Sequence, residues 1–250
     1  ELFGDRGVIL RTLDAGGDKG IDYLGMAHED NPFLGFRAIR YCLAHEDIFR
    51  TQLRAILRAS AFGRIRIMIP LVTEVAEMRR VRALTEDIKK ELRAEGKTFD
   101  ENIKIGAMIE TPAACMTADI LAGECDFFSI GTNDLTQYTM AADRGNRQVG
   151  YLNDVFEPAV LRAIRYIIKC AGDAGIPVGM CGEAAADPRL TPLLISFGLD
   201  EFSVSPSSVL RTRYNISLWT GEKADKVTAE VMDMASADDI KVYLTSLQSR

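Results

Sequence analysis

A chain of 250 residues that is 47% hydrophobic carries enough apolar surface for a full core, which excludes a disordered or low-complexity polymer. Its 30 basic residues stand against 36 acidic ones, a net charge of −6, so there is no general electrostatic reason to bind nucleic acid, and an anionic ligand must be held by locally placed cations. Five scattered cysteines without a Cys-x-x-Cys pair suggest neither a disulfide framework nor a zinc site and point to a reducing cytoplasm, and no apolar run approaches the roughly 20 residues that span a bilayer.

The chain opens at Glu1, a few residues ahead of a strand-like run, without methionine or leader, and reads as a piece of something longer. That first run, Val8 to Leu13, contains Arg11 and leads to Asp14. The following loop, Asn31 to Arg37, is unusually apolar, which predicts that Arg37 points inward. His28 and His45 each sit in an Ala-His-Glu-Asp stretch and read as solvated loop or helix-start residues. A second run, Ile65 to Leu71, precedes Glu74 to Leu92, where Val75, Met78, Val81 and Leu84 fall at helical spacing. The third, Ile103 to Ile109, closes on Glu110. The fourth, Phe127 to Ile130, enters the turn Gly131-Thr132-Asn133 and then Asp134. Arg144 follows in Asp143-Arg144-Gly145-Asn146, ahead of a second amphipathic helix over Pro158 to Ala171. The fifth run, Ile176 to Met180, ends on Cys181 with Glu183 just beyond, and the sixth, Glu201 to Val204, ends near Ser205. From Lys223 to Arg250 the text becomes a polar helical tail, with Asp238-Asp239 as its expected cap.

Near-continuous apolar runs rich in Ile, Val and Phe suit strands buried on both faces of a parallel sheet, and their alternation with amphipathic helices implies a barrel or a doubly wound sheet. Six strands are visible where a closed barrel needs eight, and a missing N-terminal portion accounts for the shortfall.

Parallel barrels build their sites at the carboxyl ends of their strands, which is where the reactive groups fall. Glu110 and Asp134 are hard oxygen donors closing successive strands, and adjacent strands lie about 4.8 Å apart, so the two could converge on one cation. Each could equally be a helix N-cap. The turn at Gly131 to Asn133 could present backbone N–H groups to an anion, while Arg11 and Arg144 offer forked donors for phosphate or carboxylate. Cys42, Cys115 and Cys170 read as small buried hydrophobes, whereas Cys181, at a strand's functional end, could donate a proton to an enolate.

Taken together, Arg11 to Lys19 (RTLDAGGDK), Asn31 to Arg40 (NPFLGFRAIR), Ile67 to Leu71 (IMIPL), Gly106 to Ala114 (GAMIETPAA), Asp126 to Gln137 (DFFSIGTNDLTQ), Asp143 to Asn146, Gly179 to Glu183 (GMCGE) and Gly198 to Ser205 (GLDEFSVS) resemble the C-terminal domain of the phosphoenolpyruvate-protein phosphotransferases, the Enzyme I family. The resemblance runs in the family's order from near the start to about Ser205. It implies a (β/α)8 TIM-type barrel over residues 1–220, truncated at its N-terminus, with 221–250 as a helical tail of the same domain. It further implies Mg²⁺ on Glu110 and Asp134, and phosphoenolpyruvate contacts from Arg11, Asn133 and Arg144. Arg37 and Lys19 become members of the same polar cluster, and Cys181 the acid that turns the enolate into pyruvate. The implied partners are phosphoenolpyruvate and pyruvate, a phospho-histidine domain and through it the HPr carrier protein, and a second copy in a cytoplasmic homodimer, with neither nucleic acid nor membrane. The family's histidine acceptor motif and an upstream arginine are not in these residues. Similar strings occur in pyruvate phosphate dikinase and phosphoenolpyruvate synthase, and two further alternatives are a Mg²⁺-dependent enolate lyase and a phosphoenolpyruvate-sensing dimerisation module.

Overall fold

The computed structural model of the chain describes residues 6–16 and 28–248, and Lys19 lies outside them. The chain forms two compact units, one reaching to Met108 and including Glu124–Phe127, the other made of Ile109–Gly123 and Phe128–Arg250.

In the first unit, strands β1 (Val8–Arg11), β2 (Ile65–Ile69) and β3 (Lys104–Ile109) are parallel and adjacent in chain order, with Leu10 opposite Ile67 and Ile67 opposite Ile105. The last residue of β3, Ile109, is counted with the second unit. Among the described residues, α1 (Ile39–Ala44) and α2 (Glu46–Ala59) lie between β1 and β2, and α3 (Val75–Ala94) links β2 to β3. Each longer helix buries one stripe: Phe49, Leu53, Ile56 and Leu57 on α2, and Met78, Val81, Leu84, Ile88 and Leu92 on α3. Helix α3 starts where expected because Glu77 reaches back to the N–H groups of Thr73 and Glu74, at 2.6 and 3.0 Å, satisfying donors that a helix start leaves open. A side chain at Gly106 would lie 2.4 Å from the Phe127 carbonyl oxygen, which is why glycine stands in the middle of this strand.

The second unit begins with two short helices, α4 (Pro112–Met116) and α5 (Ala118–Ala122), followed by β4 (Phe128–Gly131), α6 (Thr132–Thr139), α7 (Pro158–Ala174) and β5 (Val178–Cys181). Then come α8 (Thr191–Phe197), β6 (Glu201–Phe202), α9 (Val209–Ser217), α10 (Gly221–Met232) and α11 (Ala237–Gln248). β4, β5 and β6 are parallel, with Gly131 opposite Cys181 and Met180 opposite Phe202. Helix α7 starts at Pro158, whose missing N–H costs nothing there, and ends on Gly175 in the left-handed region at φ 69°.

Both units thus repeat the strand-helix-strand succession of an α/β, TIM-type fold, with six strands among the described residues. The tail departs from a uniformly polar helix. It is two amphipathic helices, burying Ala224, Val227 and Val231 on α10 and Ala237, Ile240 and Leu244 on α11. Nor do Asp238 and Asp239 cap it: Ser236 does, its Oγ accepting the Asp239 N–H at 3.2 Å, so the aspartates occupy the first turn, where negative charge meets the helix dipole. No helix among the described residues is long and apolar enough to cross a membrane.

Candidate active site

In the first unit the chain leaves β1 through Thr12 and Leu13 into Asp14, whose carboxylate lies between two arginines. Arg37 donates to Asp14 Oδ1 through Nη2 at 2.8 Å and Nε at 3.3 Å, and Arg11 Nη1 stands 3.5 Å from Asp14 Oδ2. Arg37 is fully buried, as its apolar loop predicts, whereas the Arg11 side chain is 41% exposed. Burying a guanidinium is tolerable only because the carboxylate neutralises it within hydrogen-bond distance. The turn that aims Arg37 is constrained: Ala38 adopts φ 51°, and its N–H donates to the Ala15 carbonyl at 3.2 Å. Against the back of this cluster lies Cys42, whose thiol points to the Leu13 carbonyl at 3.7 Å. Burial, reinforced by the Asp14 charge, pushes its pKa up to about 12. His45 stands at the start of α2, as expected, part-exposed, stacked on Tyr41 and 3.0 Å from the Tyr41 carbonyl through Nδ1.

In the second unit, Glu110 directly follows β3 and is 4% exposed, and Asp134, in the first turn of α6, is 7% exposed. The capping alternative falls away for Glu110, because Thr111 caps α4 by accepting the Ala114 N–H on its Oγ1 at 3.1 Å. Asp134 lies in the first turn of α6, whose N-cap is Gly131, so it does not cap that helix either. Arg144 Nη1 lies 3.3 Å from Asp134 Oδ1. The loop bearing this arginine is fixed from α6, since Gln137 Oε1 accepts the Arg144 N–H at 3.0 Å. Sequence reading passed over Gln137. The signal was its helical spacing of four from Asn133, which puts both on one side of α6.

Cys181 ends β5 opposite Gly131, half-buried, with Sγ 3.5 Å from the Ile130 carbonyl and 3.9 Å from Ser129 Oγ. Its backbone is tied to α6, where Thr132 Oγ1 donates to the Cys181 carbonyl at 3.0 Å. Gly182 must be glycine twice over, for it adopts φ 98° and a Cβ there would stand 2.4 Å from that same Thr132 Oγ1. Beyond it, Asp187 holds Arg189 by a forked pair at 2.6 and 3.1 Å, and the guanidinium lies 4.5 Å over the Phe156 ring.

Asn133, Arg144, Asp154, Phe156, Glu183 and Arg189 are among the residues lining a cavity of about 440 Å³ in this unit, large enough for a small anion. Glu110, Asp134 and Cys181 do not line it. No group of three or more His, Cys, Asp or Glu side chains among the described residues is placed to hold a metal ion. Two buried carboxylates still suit a hard divalent cation, because Mg²⁺ commonly takes one or two protein carboxylates and completes its shell with water and substrate oxygens.

Comparison with known proteins bears on these groups. The family model described as PEP-utilising enzyme, PEP-binding domain, matches residues 1–219. The phosphoenolpyruvate-protein phosphotransferase of Listeria monocytogenes is 48% identical over 235 residues, which cover 94% of this chain and 41% of that protein. Those of Geobacillus stearothermophilus and Bacillus subtilis are 47% and 45% identical, covering 98% and 96% of this chain and 42% of each relative. The chain therefore spans about two fifths of the length of the curated relatives it matches. Among solved structures, a citrate lyase from Burkholderia xenovorans aligns with a TM-score of 0.52 at 17% identity, over 80% of this chain and 67% of that one, a likeness of fold alone.

Proposed function

Because the chain belongs to the PEP-binding domain family of the PEP-utilising enzymes, we propose that it is the part of a phosphoenolpyruvate-protein phosphotransferase that binds phosphoenolpyruvate and releases pyruvate. Residues 1–220 are the binding domain and 221–250 its helical tail. The observation that carries the reading is the Arg144–Asp134 pair in the unit where a second carboxylate, Glu110, is also buried. Buried carboxylates are costly to keep ionised unless a cation meets them. Glu110 and Asp134 would hold Mg²⁺, which when bound supplies counter-charge to phosphate and enolate oxygens.

Arg144 and Asn133 bind the phosphate or carboxylate of the substrate; Arg11, Arg37 and Lys19 are members of the set by the family resemblance alone. Phosphoryl transfer depends chiefly on positioning and neutralising charge, which forked arginines supply. The P–O bond of the enol phosphate breaks as an N–P bond forms to a histidine on another domain, which later passes the group to the HPr carrier. The electron pair left on the enol oxygen re-forms the carbonyl while the C2–C3 π pair takes the Cys181 thiol proton at C3, giving pyruvate and a thiolate that solvent reprotonates. The Ile130 carbonyl and Ser129 hydroxyl keep the sulfur in place for this. A cytoplasmic homodimer completes the reading.

Calorimetric titration of this chain with phosphoenolpyruvate tests it. Binding that requires Mg²⁺ and disappears in Glu110→Gln and Asp134→Asn is the expected result. Wild-type protein that binds equally well in EDTA, or not at all, overturns it.

A further inference from the structure

The loop bearing Arg144 runs from the end of α6 to Pro158, and its one regular feature is the short 3-10 turn Gly150–Leu152. A connection of that length has little intrinsic rigidity, yet an arginine that orients a phosphate must be held to a fraction of an ångström. Its first half is anchored to α6, where Gln137 accepts the Arg144 N–H on its side chain and the Ala142 N–H on its carbonyl, at 3.0 and 3.1 Å. Asn153 Nδ2 donates across to the Ala142 carbonyl at 3.2 Å, joining the second half to the first. Asp154 then fixes that second half. Its Oδ1 accepts the Phe156 N–H at 2.9 Å, and its Oδ2 meets Lys241 Nζ at 2.7 Å.

Lys241 is 87 residues away in sequence, on α11, a helix seated by buried Ile240 and Leu244. Asp238, one turn earlier, lies 2.9 Å from the same ammonium and steadies it. The family model stops at residue 219, so it does not reach this helix. Asp154, however, borders the cavity together with Asn133 and Arg144.

We infer that α11, through Lys241 and Asp154, is a positioning element that holds the Arg144 loop in its ligand-binding geometry, so that residues beyond the stretch the family model matches set affinity for the anionic ligand. The role of Arg144 rests on the function proposed above. The tether itself does not. Both partners are partly exposed, so as an ordinary surface pair they would contribute little to folding, and the two roles predict different results.

The test is a double-mutant cycle of Lys241→Met and Asp154→Asn, read by phosphoenolpyruvate titration in Mg²⁺ and by amide hydrogen exchange over residues 142–156. Asparagine at 154 retains an oxygen for the Phe156 N–H, so only the charge is lost. Each single variant should weaken binding roughly fivefold, about 1 kcal/mol. The double variant should be no weaker than either, and Lys241→Arg should restore wild-type affinity. Exchange at the Arg144 amide should quicken in both single variants, with melting temperature within about 2 °C of wild type. Unchanged exchange in Lys241→Met, or additive losses of affinity, overturns the inference. Wild-type protein that fails to bind phosphoenolpyruvate would remove the proposed function instead, and the exchange data alone would then decide the tether.

Discussion

Around Asp14 a carboxylate and an arginine, Arg37, are folded almost entirely out of water, while the likewise buried Asp134 meets a part-exposed arginine, Arg144, that lines a cavity of about 440 Å³. Both pairs bring opposite charges within hydrogen-bond range, at 2.8 and 3.3 Å. The shorter, drier pair behaves as architecture, because neither member can leave without stranding the other's charge. In the longer pair only Arg144 reaches solvent, so the arginine can turn to a ligand oxygen while Asp134 stays buried. The same contrast divides the cysteines: Cys42 lies behind Asp14 with its pKa pushed up to about 12, and Cys181 stands half-exposed at the end of β5.

The largest expected effect falls on Cys181. Replacement by serine should slow exchange of the pyruvate methyl protons with deuterated solvent by about 10²- to 10⁴-fold, the usual contribution of a positioned acid or base. Phosphoenolpyruvate affinity should change little, and equal losses in both would remove the proton-donor role. Next, Arg37→Ala should cost about 3–5 kcal/mol in urea denaturation, as expected when one member of a buried pair is removed. Arg144→Ala should cost less than that, because the Arg144 side chain is 30% exposed and water can reach the place it leaves, while losing ligand affinity. Similar destabilisation by both would erase the contrast.

A smaller loss, about 1–3 kcal/mol, is expected for Gly182→Ala, since alanine at φ 98° is strained and its Cβ meets Thr132 Oγ1. The companion Thr132→Ser keeps the hydroxyl and should leave stability near wild type. The mildest effect concerns the thiols. An alkylating agent should modify Cys181 first, with Cys42 and Cys125 reacting only on unfolding, because burial pushes both of those thiols up to about 12. Their raised pKa values favour the folded state fully below the ordinary thiol value of 9.0. That contribution is lost as pH rises from 9 towards 12, so denaturation midpoints should fall across that window.

The six strands were legible because each is an apolar run with a polar terminus, although only β3 and β4 are buried on both faces while β1 and β6 stay partly exposed. Their ends were less so: β6 pairs over only Glu201–Phe202, although the Ser203 N–H still reaches the Met180 carbonyl at 2.9 Å. The inward course of Arg37 was readable from its apolar neighbours, but its carboxylate partner, 23 residues earlier, was not. At Glu110 a cap and a ligand were equally open to a reader of the sequence. A hydroxyl one residue later, on Thr111, decided against the cap. The tail showed where a helix lay but misassigned its start, since Ser236 and the aspartates after it are all competent to cap.

What the sequence determined by itself was the order of βα units, the helical faces and the residue types at strand ends, because hydrophobic period and local hydrogen bonding act within a few residues of each position. The tertiary structure alone decided that Asp14 receives Arg37, that Thr132 fixes both Cys181 and the glycine after it, and that Lys241 reaches Asp154. Those pairings join residues 23 to 87 positions apart, and charges or hydroxyls so distant select one another only after packing has brought their backbones together and excluded competing water.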